Sequence, residues 1–81
     1  MSKAYEARYS EGTRVRIRPR ADLEEFVRTW RYHHKLTDEH LTHAGEEALV
    51  ASVGFYHGGD PLYELEGIPG FWHEENLQQA S

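Results

Sequence analysis

The sequence predicts a small, mainly β domain, an antiparallel sheet or barrel with one or two short helices between residues 20 and 45. Three observations predict it. Residues 14–18 alternate strictly between Arg and aliphatic side chains. Residues 48–77 hold three short apolar runs separated by two Gly/Pro turns. Between them, only residues 22–43 carry helical spacing and capping signals. Alternation at period two marks strands, and Gly/Pro clusters mark reversals.

Residues 1–11 are polar and are expected to form a flexible N-terminal segment. The first strand is expected over Thr13–Arg18, opened by Gly12 and closed by Pro19. Val15 and Ile17 then point to the core, and Arg14, Arg16 and Arg18 point away. Asp22 with Glu25 three residues on resembles a capping box. Leu23, Phe26, Val27 and Trp30 follow as one helical face. The residues 32–35, Tyr-His-His-Lys, read as a loop. Thr37 is placed to cap a second, single-turn helix, with Leu36 and Leu41 as its hydrophobic staple and Gly45 as its stop.

The second strand is expected over Ala48–Tyr56, with Leu49, Ala51, Val53 and Phe55 inward and a bulge near Gly54. His57-Gly58-Gly59-Asp60-Pro61 is a turn, and Leu62–Glu66 is the next strand, with Tyr63 and Leu65 inward. Gly67-Ile68-Pro69-Gly70 is read as another turn, followed by the strand Phe71–Glu74 and by Leu77 folding back onto the core. The expected core is Val15, Ile17, Val53, Phe55, Tyr63, Leu65, Trp72 and Leu77. The domain then spans 12–77, with 78–81 as a tail.

Eighty-one residues make one domain. A chain this short buries only about 60% of its unfolded surface. It has no cysteine, so no disulfide supports it and no thiolate chemistry is open to it. No apolar run approaches the roughly 20 residues of a membrane helix. The first twenty residues lack the apolar core of a signal peptide. The expectation is a soluble cytoplasmic protein.

The net charge of −5 hides a polarised chain. All nine Lys and Arg lie at or before Lys35, with five acids; nine acids and no Lys or Arg follow. The two parts carry about +4 and −9. Internal pairing across the sheet is one reading, with Arg14, Arg16 and Arg18 opposite Glu64 and Glu66. A two-signed surface that steers a partner is the other. The same Arg stripe suits nucleic-acid phosphates, but an acidic domain lacks the basic footprint such binding needs.

Six histidines are the most unusual feature. His33, His34, His40, His43 and His73, with a carboxylate such as Glu39 or Glu74, are candidate ligands for zinc or another transition metal. Their spacing matches no ligand signature, and surface or hydrogen-bonded histidines fit the count as well. Glu74 and Glu75 are adjacent and diverge on a strand, which disfavours a paired-carboxylate acid/base site. No serine lies in a nucleophile elbow. The aromatics Trp30, Tyr56, Tyr63, Phe71 and Trp72 are expected in the core rather than as a stacking platform.

Gly12-Thr13-Arg14-Val15-Arg16-Ile17 resembles the G-D-x-V-x-V opening strand of small SH3-like barrels. Gly45, the strand to Val53, Leu62-Tyr63-Glu64-Leu65, and Trp72 with Leu77 resemble the rest of such a barrel. The order is similar to the C-terminal barrel of the nitrile hydratase beta subunit. That barrel belongs to the electron-transport accessory protein group, with the variable chain of ferredoxin–thioredoxin reductase. The resemblance implies a five-stranded barrel and a non-catalytic accessory role beside another protein, such as an enzyme subunit. Nitrile hydratase holds its metal on cysteines of the other subunit, so no cofactor is expected here. The expected contact surface is the 57–61 and 67–70 turns with the 31–43 loop, through His57, Asp60, Pro61, Ile68, Arg31 and His40.

Overall fold

A computed structural model describes residues 7–31, 34–56 and 59–80. It contains five antiparallel strands and two short helices. In chain order these are β1 (Arg14–Ile17), α1 (Arg20–Thr29), α2 (Asp38–Leu41), β2 (Glu47–Tyr56), β3 (Asp60–Leu65), β4 (Ile68–His73) and β5 (Leu77–Gln79). A single 3-10 turn, Glu74–Asn76, joins the last two strands. The strands form one open sheet in the order β4-β3-β2-β1-β5. β2 is its spine: residues 47–49 pair with β1, and residues 50–56 pair with β3.

β1 behaves as its alternation predicts. Val15 and Ile17 are fully buried, and the arginines between them are exposed or half-exposed. Those arginines pair differently from the expectation. Arg14 and Arg16 both reach Glu47 on β2, and Arg18 reaches Asp22 on α1 and Gln78 on β5. The reason is register: Arg16 stands opposite Glu47, while Glu64 lies on β3 and Glu66 in the turn after it, and β1 does not pair with β3.

The bulge on β2 lies at Ala51, not at Gly54. The pairing with β3 shifts between Val50 and Ser52. One extra residue reverses the alternation. Ala48 and Val50 therefore face the core before the bulge, and Val53 after it. Ala51 is exposed, Leu49 is only half-buried, and Phe55 is 36% exposed. Val53 is partly buried, and the other six expected core residues are buried, joined by Tyr9, Leu23, Leu36, Val50 and Ile68. Tyr9 is only 4% exposed, although it lies in the segment expected to be flexible.

Three boundaries also differ. α1 begins at Arg20, with Pro19 at its N-cap, so Asp22 sits inside the first turn rather than capping it. Proline presets the helical φ and needs no donor at a helix start. Val27 turns outward at 43% exposure. The second reversal is two residues, Glu66-Gly67, with Leu65 paired to Ile68. Gly67 takes φ +77, which glycine adopts without strain. Ile68 consequently starts β4 and is 8% exposed, a core residue and not a turn residue. Finally, Glu74 and Glu75 lie in the 3-10 turn and not on a strand.

Candidate docking surface

The half of the sheet made by β2, β3 and β4 has two faces. The inner face joins the main core through Val53, Tyr63 and Trp72, with Val53 opposite Tyr63 and Tyr63 opposite Trp72. The outer face holds Ser52, Gly54 and Tyr56 of β2, Asp60, Leu62 and Glu64 of β3, and Phe71 and His73 of β4. Pairing fixes this set: Tyr56 lies opposite Asp60, Ser52 opposite Glu64, and Leu62 opposite both Gly54 and His73. Leu62 is only 1% exposed, yet it does not belong to the main core cluster. A second apolar layer must therefore cover the outer face.

That layer is aromatic. α1 contributes Phe26, and the chain just after it contributes Trp30; their rings stack with centroids 5.0 Å apart. Both pack on the buried His73 ring, at 5.0 and 4.7 Å. His34 lies against Tyr56 at 5.3 Å and Phe71 at 5.5 Å, and those two rings stand 6.1 Å apart. The Tyr56 ring folds back over Gly54, so closely that an added Cβ there would meet it at 2.8 Å. Tyr56 and Phe71 remain 36% and 37% exposed. Such edge-to-face pairs bury large apolar area while leaving ring surface open to a further contact.

Two histidines tie β4 to the rest of the chain, one on each face. His73 Nε2 donates to the backbone carbonyl of His34 at 2.8 Å. His40, on α2, answers in the other direction. Its Nδ1 accepts the Thr37 backbone N–H at 2.9 Å, which leaves the ring proton on Nε2 to donate to the Phe71 carbonyl at 3.0 Å. The His40 ring also stands edge-on to Trp72 at 4.6 Å. It occupies the space over Gly70, where a Cβ would come within 2.7 Å of Nε2. Burial holds the His40 pKa below its ordinary value, against smaller raising effects from the Phe71 carbonyl and Glu39. The ring is thereby kept as a neutral, two-ended tie.

The inner face is tied by a different chemistry. Tyr63 donates its phenol to Glu74 Oε2 at 2.5 Å, and the same oxygen accepts the Arg8 backbone N–H at 2.7 Å. The Tyr9 N–H reaches the Tyr63 oxygen at 3.3 Å. Burial, then the Glu74 hydrogen bond, push the Tyr63 pKa well above its ordinary value. It stays a neutral donor, and Glu74 becomes a structural acceptor that holds the N-terminal segment on the core. Trp72 Nε1 is buried with no hydrogen-bond partner among the described residues.

The histidines among the described residues do not converge. His40 and His43 share α2 and its end, but His40 turns to β4 and His43 Nδ1 pairs with Glu46 at 3.0 Å. Among the described residues no three His, Asp or Glu side chains gather as metal ligands. His33 and His57 lie outside the described residues. Of the expected contact residues, Asp60 and Pro61 open β3 beside Tyr56 and Phe55, and His40 backs β4. Arg31 is exposed just past Trp30. Ile68 is in the core. Tyr56 and Phe71, expected inside, form the open part of the surface. The alternation on β3 and β4 was the signal that could have placed them: Asp60, Leu62 and Glu64 oppose the inward Tyr63 and Leu65, and Phe71 opposes Trp72.

Two shallow grooves of about 290 and 310 Å³ lie nearby, lined by Arg8, Arg18, Glu74 and Glu75, and by Arg18, Asp22, Phe26 and Glu75 among others. Arg18 is already paired with Asp22 there, at 3.9 Å. No helix among the described residues is long and apolar enough to cross a membrane. No protein-family model, curated protein or solved structure matches the chain.

Proposed function

We propose that this chain is a non-catalytic accessory module, built on an SH3-like barrel, that docks on another protein through the outer face of β2–β4. The observation that carries the reading is the aromatic layer itself. A chain of 81 residues has few large side chains to bury, yet Tyr56 and Phe71 sit over a third in water on one continuous face. Aromatic residues are enriched where protein surfaces meet. The barrel reading draws support from β2, which bends at the Ala51 bulge and serves both halves of the sheet. Such a bend is what closing a five-stranded sheet requires. The partner expected from the resemblance to the nitrile hydratase beta-subunit barrel is an enzyme subunit.

The test is affinity capture from lysate of the source cell with three proteins: the wild type, Tyr56→Ser and Phe71→Ser. One protein enriched by the wild type and lost by both folded variants supports the reading. Capture that is equal in all three, or absent in all three, overturns it.

A further inference from the structure

We propose that His40 is an acid-released latch: protonation of its ring frees α2 from β4 while the sheet stays folded. The inference does not depend on the docking reading above. α2 is four residues long and buries none of them. Leu41 packs against the core, and His40 makes the polar contact with β4. The chain is anchored on either side of this turn. The buried Leu36 precedes it, and the Gly45 N–H bonds the Ile17 carbonyl at 3.0 Å after it. The stretch between these anchors belongs to no strand, so it can leave β4 without unpairing the sheet.

The bonds of the ring demand its neutral form. Nδ1 accepts the Thr37 N–H at 2.9 Å, and Nε2 donates to the Phe71 carbonyl at 3.0 Å. An imidazolium has two donors and no acceptor. A proton on Nδ1 therefore meets the Thr37 N–H donor to donor. The Thr37 hydroxyl oxygen, 3.0 Å from Nδ1, already accepts the His40 backbone N–H in the capping box. From β4 the ring meets Gly70, the Phe71 carbonyl and Trp72, none of which titrates. On its own segment Glu39 favours the charge and His43 opposes it, and burial outweighs what Glu39 and the Phe71 carbonyl offer. α1, the other element beside α2, holds its charges in exposed pairs: Arg20 with Glu24, Arg28 with Glu25, and Asp22 with Arg18 of the preceding segment. Releasing the ring into water removes both the donor clash and the desolvation, so acid favours the open form.

The experiment is an NMR titration of the ¹⁵N-labelled full chain from about pH 7.5 to about pH 5, the range in which histidine titrates. At neutral pH the His40 imidazole is expected as the Nε2–H tautomer. As pH falls below the ordinary 6.5, the amides of residues 37–44 should move toward unstructured positions. The open population should grow by at most about tenfold per pH unit, the limit for one proton. The amides of Val53 and Tyr63, on paired β2 and β3, should keep their shifts and their slow exchange. His40→Gln has no titrating ring, so its 37–44 signals should stay fixed over the same range, whether latched or open. Four results would each overturn the proposal. His40 could take up its proton with the 37–44 signals unmoved, or take up none over this range. The 37–44 and β2–β3 signals could collapse together, which would make the event global unfolding. The transition could also persist in His40→Gln, which would assign it to another group such as His43 or Glu39.

Discussion

The two faces of β2–β4 use aromatic rings to different ends. On the inner face Trp72 and Tyr63 are fully buried, and the Tyr63 phenol is satisfied by Glu74 and the Tyr9 N–H. On the outer face a single aliphatic residue, Leu62, is sealed beneath rings that stay partly wet. The inner face is tied to the chain's N-terminal segment through Tyr63 and Glu74 and to α2 through His40, and the outer face to His34 through His73. A face completed by its own chain has no need of a partner. A face left with open rings above a buried leucine is the one proposed to receive a partner. That difference separates what holds this protein together from what it offers.

Truncation should expose the contrast most strongly on the inner face. Trp72→Ala is expected to cost about 3–5 kcal/mol, a large share of the stability of so small a domain, and to abolish a cooperative thermal melt. Gly70→Ala comes next. Its φ of +95 disfavours any side chain, and the new Cβ would strike the His40 ring. A loss of about 2 kcal/mol is expected in urea unfolding, together with loss of the Phe71–His40 tie. Tyr63→Phe should cost about 1.5 kcal/mol, because Glu74 keeps only its bond from Arg8. Its capture of the partner should be unchanged. Tyr56→Ser and Phe71→Ser should each cost about 1 kcal/mol and remove capture. Two variants of similar stability would thus divide by face.

The smallest effect expected is the pH dependence of His40. Its folded-state pKa lies below the ordinary 6.5 because the ring is buried. In acid the unfolded chain therefore binds the proton first, and stability falls as pH drops below about 6.5. Above that value the contribution is fully present. Thermal melts between mildly acidic and neutral pH should show this decline, and it should be smaller in His40→Gln.

Much of the inner face could be read from the sequence. The alternation at Val15 and Ile17, the inward Tyr63 and Leu65, and the single-turn helix after Thr37 all come from local patterns that tertiary packing then respected. The outer face could not be read so directly. A bulge at Ala51 has no residue signature, and it reversed which side of β2 faced the core. Ile68 looked like a turn residue because Gly67, Pro69 and Gly70 surround it, yet Glu66 and Gly67 make the reversal. The histidines were legible as a count but not as a chemistry. His40 and His73 bond to backbone carbonyls from segments 31 and 39 residues away in sequence, and no spacing rule encodes that.

The account's central claim is that Tyr56 lies in an interface and Tyr63 in the core. Site-resolved iodination of tyrosines, read by mass spectrometry with and without the captured partner, tests it most directly. The account predicts that Tyr56 is modified in the free protein and protected in the complex, while Tyr63 is unreactive in both. Tyr56 reacting equally in the presence of saturating partner would contradict it.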